Sequence, residues 1–299
     1  MIVPRLNAEP MYTIPSKEWS FDLGETALYT VFDGNLGNYF SFSFANRWFA
    51  YTDSFDNVKD LYRNTWRADE NNWVTWANVS LHLGNFSLTL GKDYIHFGTF
   101  ETDAYDFDAH WQLNSVLWNN YQVYQWGGSL GWTSSDESTT LLLQMTSDQT
   151  MVRPFGSKNL GDYAYNLFAS HEADRVTVMG SFGHNSIGWM GAFGVKFDVS
   201  DNVAVTGDGY IAADYFGVTA KVDAALSDKF TLFAKCGFDD CNTDWLPAGK
   251  FLFGGVGAYW YPLRDSKDLR IHALCNYDSF HNAVECSAGI TYALNLKLF

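Results

Sequence analysis

Long apolar runs are missing from this 299-residue chain. No stretch approaches the roughly 18 uninterrupted apolar residues that a membrane-spanning helix needs, which excludes a helical membrane protein. Proline is scarce too: Pro4, Pro10 and Pro15 are half of the six. The segment that holds them has no continuous apolar core, so it reads as a mature or truncated start and not as a secretory signal. Basic residues are few, 19 Lys and Arg against 34 Asp and Glu. A net charge of −15 supplies no basic surface for phosphate backbones, and nucleic acid is not an expected partner. Catalytic signatures are absent: there is no HExxH, no GxSxG and no phosphate-binding glycine loop. His184 beside Asn185 and Ser186, and His281 near Ser279, read as solvated loop histidines, so no enzyme is expected.

What the chain does have is aromatic side chains, 12 Trp, 17 Tyr and 24 Phe, beyond the ordinary need of a soluble core. Hydrophobic residues make up 47% and yet mean hydropathy is −0.17, because Ser, Thr, Asn, Asp and Gly dilute them. The dilution is regular, with period two. Ala77, Val79, Leu81 and Leu83 share one face of a strand, with Asn78, Ser80 and His82 on the other. Gly84-Asn85 turns the chain, and Phe86, Leu88 and Leu90 resume the apolar face opposite Ser87, Thr89, Gly91 and Asp93. Phe40, Phe42 and Phe44 repeat the pattern against Ser41, Ser43 and Arg47, as do Leu141, Leu143 and Met145 against Thr140, Gln144 and Thr146.

Alternation alone describes any half-buried sheet. The connections discriminate. Tight polar turns recur at Glu172–Asp174, Ser200–Asn202, Ser227–Lys229 and Asp265–Asp268, separated by longer connections that include 49–72 and 96–120. Short turns at one end and longer loops at the other are the sidedness of an outer-membrane barrel. The expected fold is therefore all-β, an antiparallel transmembrane β-barrel of about 14–16 strands, with short periplasmic turns and longer extracellular loops. Residues 1–22 form an N-terminal segment in this reading, with a further strand over Tyr12–Phe21 if the count is sixteen, and residues 23–299 form the barrel. Trp73, Trp76, Tyr94, Trp126, Trp132, Tyr259, Trp260 and Tyr261 fall near strand ends and suit interfacial girdles. The last strand sets Ile290, Tyr292, Leu294, Leu296 and Leu298 against Thr291, Asn295 and Lys297, with Phe299 one residue off the apolar row. An alternating final strand closed by an aromatic resembles the signal by which outer-membrane barrels are recognised for assembly.

The segment LGNFSLTLGKDYIHFG, a long acidic loop, and then YQVYQWGGSLGW resemble Gram-negative outer-membrane porins, closest to the phosphate-selective and alginate-export types. The likeness covers mainly Trp73 to Trp132. It implies a pore-narrowing loop over Thr99–Ser115, with Glu101, Asp103, Asp106, Asp108 and His110 as pore-loop candidates. Phosphate-selective porins line this place with basic residues, whereas this loop has four carboxylates and no Lys or Arg, so phosphate selectivity does not transfer. An acidic eyelet would favour cations or neutral polar solutes; a merely solvated acidic loop is the alternative. No cofactor is expected, although calcium in this loop or at Asp239, Asp240 and Asp244 is a further reading. A barrel of this kind implies outer-membrane lipid and lipopolysaccharide as surroundings, barrel-assembly machinery during insertion, and other outer-membrane subunits or a homotrimer as partners.

Charges expected to face the lumen are Arg47, Asp93, Lys196, Asp198, Asp208, Lys221, Asp223, Lys235, Arg270, His272 and Glu285. Their mixed signs suit ion pairs between neighbouring strands, around either a wet channel or a closed polar interior. The four cysteines fall in two close pairs, Cys236 with Cys241 and Cys275 with Cys286, candidates for disulfides in an oxidising compartment. The functional expectation is a barrel for passive diffusion of small polar solutes or ions in a bacterial outer membrane. The alternative is a non-conducting scaffold subunit of a larger outer-membrane assembly, secretion or import complex.

Overall fold

The computed structural model describes residues 1–22, 27–50, 74–103, 113–120, 123–148, 163–185, 188–243 and 248–295. In chain order the strands are β1 (Ile2–Thr13), β2 (Glu18–Asp22), β3 (Ala27–Leu36), β4 (Phe40–Ala50), β5 (Val74–Leu83), β6 (Phe86–Tyr94), β7 (Tyr124–Thr133), β8 (Thr139–Ser147) and β9 (Tyr163–Ala173). They continue as β10 (Val176–Asn185), β11 (Gly188–Ser200), β12 (Val203–Ala212), β13 (Tyr215–Ser227), β14 (Phe230–Cys241), β15 (Gly249–Trp260), β16 (Leu269–Asp278) and β17 (Ala283–Tyr292). Two short helices, α1 (Phe100–Asp103) and α2 (Val116–Asn120), lie between β6 and β7.

All pairings are antiparallel between neighbours in sequence until β17 closes on β1, with Arg5 opposite Thr291 and Thr13 opposite Ala283. The upper half of β1 pairs with β2 and its lower half with β3, so these two share one position in the wall. The result is a closed sixteen-stranded barrel. The additional strand is Ile2–Thr13, and Tyr12–Phe21 straddles the first turn. Three prolines did not prevent it. Pro4 and Pro10 sit in β1, and Pro15 falls in that turn.

At one end the turns are tight: Leu83 pairs with Phe86 across Gly84-Asn85, with Gly84 at φ 59°, and Ala173 pairs with Val176 across Asp174-Arg175. Asp174 takes φ 50°, a left-handed conformation that a short polar side chain tolerates. In the β7–β8 turn the Ser134 and Ser138 hydroxyls and the Ser138 amide donate to Asp136, holding its carboxyl below the usual range. The long connections of the first half, 51–73, 95–123 and 148–162, all leave the opposite end.

The outer wall is apolar. Phe193 and Ile211 are 60% and 64% exposed, and Leu88, Leu90, Leu141, Leu143, Val218, Val222 and Val256 are turned out in the same way. Aromatic pairs add to it, with Phe182 stacked on Trp189 and Tyr12 against Trp19. Alternate residues on the same strands are buried and polar: Ser129, Gln144, Asn166, Thr206, Asp208, Thr219 and Lys221. A soluble sandwich reverses this, so the wall suits lipid outside and a polar interior. Three expected girdle aromatics turn in instead: Tyr259 is buried, Trp76 donates its indole N–H to Ser43 Oγ at 2.7 Å, and the Tyr94 hydroxyl donates to the Thr102 carbonyl. Trp73 lies outside the described residues. The last strand ends at Tyr292, and Leu294 adds a single bridge to Ile2. Leu296, Leu298 and Phe299 lie outside the described residues.

Cys275 and Cys286 stand opposite one another on β16 and β17 and form a disulfide. The expected partnership of Cys236 with Cys241 does not occur, since both are free, one exposed and one buried. Five residues apart on one strand, they point to opposite faces. Alkylation of the denatured, unreduced protein should therefore add two labels, and four after reduction; four labels without reduction would contradict the pairing. Phe193→Arg, in the middle of the outer wall, should lower stability in lipid vesicles by about 2–4 kcal/mol, measured by reversible denaturant titration. An unchanged midpoint would place this face out of lipid.

Candidate functional site: an inward-folded loop

After β6, residues 95–103 and 113–120 fold into the barrel and lie against its inner wall. Apolar burial drives this. Ile95, Phe97 and Leu117 pack on Met190, Ala192, Tyr210, Tyr215 and Cys241, while Leu113 packs on Phe233, Phe253, Tyr259 and Leu274. These wall positions are unusually apolar for an interior, and the loop covers them. At roughly 25 cal/mol per Å² the covered surface is the main source of docking energy.

Polar anchors fix the register, and they fall on alternate strands. On β8, Gln144 accepts from the His96 amide at 3.0 Å and donates to the Tyr94 carbonyl at 2.8 Å. On β10, Ser181 accepts from the Gly98 amide at 2.7 Å and donates to the Gly98 carbonyl at 3.0 Å. Asp208 on β12 accepts from the Thr99 hydroxyl, from the Phe100 amide at 3.0 Å, and from Thr219 on β13 at 3.2 Å. On β14, Asp239 accepts from the Val116 amide at 3.0 Å and from the Tyr215 hydroxyl at 2.6 Å.

The central anchor is ionic. Lys235 on β14 reaches Glu101 at 2.7 Å, with both side chains fully buried, and donates to Asn114 Oδ1 at 2.9 Å. Glu101 also accepts from the Ser115 amide at 2.9 Å and its hydroxyl at 2.7 Å, so one carboxylate ties α1 to the start of α2. A buried pair is tolerable only when its remaining hydrogen-bonding capacity is met, and here it is. Glycine makes the fit possible. A Cβ at Gly194 on β11 would stand 2.8 Å from Thr99 and 2.9 Å from Phe100.

These contacts correct the reading of Glu101 as an exposed eyelet carboxylate: it is a neutralised anchor. The side chain of Asp103, together with Asp106, Asp108 and His110, lies outside the described residues. The calcium reading at Asp239, Asp240 and Asp244 also changes. Asp239 points inward to the loop, Asp240 pairs with Lys250 at 3.3 Å on the outer side, and Asp244 lies outside the described residues.

Of the remaining lumen charges, Lys196 bonds Asp198 at 3.2 Å and Lys221 bonds Asp223 at 2.9 Å. Both pairs run along one strand, and across β13 and β14 Lys221 faces Lys235 in register. Asp93 accepts from Asn78 at 3.0 Å, Arg47 opposes Tyr29, Arg270 lies over the Tyr259 ring at 5.2 Å, and His272 and Glu285 are buried. Sequence reasoning marked Asp208 and Lys235 as inward charges but not as anchors, and it missed Gln144 and Ser181. Two charges of opposite sign on an inner wall, near a loop that carries a matching Glu, were the available signal.

Lys235→Met leaves Glu101 buried without its cation, a loss of about 3–5 kcal/mol for a pair of this kind. Hydrogen exchange at the Gly98, Phe100, Ser115 and Val116 amides should quicken, and Lys235→Met combined with Glu101→Met should restore much of the protection at Gly98, Phe100 and Val116, whose acceptors on the wall remain, but not at Ser115. Gly194→Ala should release the loop in the same assay with the barrel intact. Unchanged exchange in both variants would refute the anchoring.

No family model matches the chain, and no curated relative does. Solved structures do match. OmpTdeltaL8, a loop-deletion mutant of OmpT, an outer membrane protein of Vibrio cholerae, is 9% identical with a TM-score of 0.61 and coverage of 98% of each chain. One mutant of the Rhodopseudomonas blastica porin is 12% identical with a TM-score of 0.62, over 98% of this chain and 99% of that one. A second mutant of the same porin is 13% identical with a TM-score of 0.61, again over 98% of this chain and 99% of that one. At such identity the likeness shows the fold alone: this chain is built as a closed antiparallel barrel of the kind those outer-membrane proteins have.

Proposed function

We propose that the chain is a passive diffusion channel for small polar solutes in a bacterial outer membrane. One observation carries the reading: the inward loop is held against the wall by anchors on β8, β10, β12 and β14. A loop tied by a buried ion pair and by those four wall strands narrows a lumen at a fixed place, which is what size selection requires. The porin-type fold supports the reading, and the resemblance to phosphate-selective and alginate-export-type porins enters it only through the pore-narrowing loop.

Cation preference does not rest on Glu101, since Lys235 neutralises it. With Arg5 and Arg270 beside Glu9, Asp93 and Glu285 on the inner face, the proposed lumen is of mixed sign and suits neutral polar solutes. Its surroundings in this proposal are outer-membrane lipid and lipopolysaccharide, reached through the barrel-assembly machinery. No catalytic role is proposed.

Purified protein in planar bilayers should give stable ohmic steps with weak ion selectivity. In Lys235→Met the steps should become noisy as the loop detaches. Absence of any step, with fixed partner proteins co-purifying, would overturn the channel in favour of a scaffold.

A further inference from the structure

Cys275 and Cys286 join β16 to β17 on the outer face of the barrel. Along β16, Ala273, Cys275 and Tyr277 are exposed while Leu274 and Asn276 are buried. Along β17, Val284, Ala288 and Ile290 are exposed while Glu285 and Ser287 are buried, so Cys286 has the outward parity. Val256, turned out on β15, stands in register beside Cys275. The sulfurs therefore sit among side chains that suit lipid. They also lie well inside the strands, about 10 Å along each from the β16–β17 turn.

The bond falls at a gap in the closing seam. The β1–β17 register runs from Arg5 to Ala8 and resumes at Met11, skipping Glu9 and Pro10 on one side and Cys286 and Ser287 on the other. Pro10 has no N–H to offer the ladder there. The disulfide ties β17 to β16 at the point where β1 does not hold it.

Making such a bond needs a thiolate, and a thiolate in hydrocarbon is unfavourable. Water-soluble oxidants are excluded from the same region. A pair that ends in lipid must therefore be oxidised before it arrives there. Strand alignment must come earlier still. Cys236 and Cys241 are nearer in sequence and would close a shorter loop in an unstructured chain, yet they remain free, while Cys275 and Cys286, eleven residues apart, are joined. Choosing the longer loop requires β16 to lie against β17 when the bond forms.

We propose that Cys275 and Cys286 are oxidised in water, before the barrel enters the membrane, by a partner protein bearing an exchangeable disulfide, so that β16–β17 reaches the bilayer as a registered hairpin. One cysteine thiolate attacks a sulfur of the partner's disulfide, forming a mixed disulfide and releasing the partner's second sulfur as a thiolate. The other cysteine thiolate then attacks the chain's own sulfur in that mixed disulfide, forming the Cys275–Cys286 bond and releasing the partner's first sulfur. The chain loses two electrons and two protons, and the partner gains both as a dithiol. The proposal rests on the outer-membrane reading of the barrel and is independent of conduction.

The full chain carrying Cys236→Ser and Cys241→Ser leaves only this pair to follow, by maleimide labelling after an acid quench. In phospholipid vesicles the oxidised, inserted barrel should resist dithiothreitol, and the barrel inserted in reduced form should resist oxidised glutathione. Each should react at least about a hundredfold more slowly than the same chain in urea. In a pulse-labelled Gram-negative host the bond should already be present in exported chain that has not yet gained heat-modifiable mobility. A host without disulfide donors in its export compartment should accumulate the chain reduced. Reaction in vesicles as fast as in urea, with the barrel heat-modifiable and floating with the lipid, overturns the proposal and leaves the barrel in the membrane. A bond that appears only after heat-modifiable mobility overturns it too. Folded protein that does not float with the vesicles defeats the outer-membrane reading and the proposal with it.

Discussion

Everything in this molecule depends on closing the sheet. A backbone in hydrocarbon has no water to satisfy its N–H and C=O groups, and an open edge would leave a row of them bare. β17 meets β1 over nearly its whole length, Arg5 to Thr13 against Thr291 to Ala283, and the main chain supplies that pairing whatever the side chains are. Prolines in β1 weaken a strand that would be costly to weaken elsewhere. They are tolerated because Pro4 precedes the first β17 pair, that pairing skips Glu9 and Pro10, and Pro15 lies beyond the last pair.

Closure gives every side chain one of two addresses. On β14, Leu232, Ala234 and Cys236 point outward, and Phe233, Lys235 and Asp239 point inward. The same parity separates Cys236 from Cys241 and joins Cys275 to Cys286, which are eleven residues apart but directly opposed across a hairpin. Proximity in sequence misled in the first case because it ignored the face. In the second it succeeded because the hairpin tip was placed well enough to set the register.

The barrel was legible in the sequence because period-two patterning and tight polar turns are local signals. Val79, Leu81 and Leu83 against Asn78, Ser80 and His82 require no knowledge of any other strand. The docked loop was less legible, for a physical reason. Glu101 and Lys235 are 134 residues apart, and nothing near either residue states that the pair is buried together. The acidic character of the loop suggested an eyelet; the structure uses Glu101 as a fastener, with Asp208 and Asp239 on the wall serving loop amides. The first strand was misplaced for a different reason. Its prolines suppress strand propensity, and a closing strand draws its stability from two neighbours instead of its own composition.

Aromatic abundance, the strongest compositional feature, divides into three populations with different physics. Residues such as Phe193 and Trp260 stand exposed on the outer wall, a face that suits lipid, where apolar area is favourable and no partner is needed. Tyr210, Phe233 and Phe253 lie inside but under the loop, where they are buried as in a soluble core and hold the shelf in place. Trp76, Tyr124 and Tyr94 lie inside and beside charged and amide groups, Trp76 stacked on Tyr124, Tyr124 edge-on to Tyr94, and Tyr94 bonded to the loop carbonyl of Thr102. Strand-end position, the only cue available from sequence, cannot separate the first population from the third, since both fall near strand ends. Inner parity assigns Trp76 to the inner face, whereas Tyr94 shares the parity of the outward Leu90 and is drawn inside at the strand end, where its hydroxyl meets the loop.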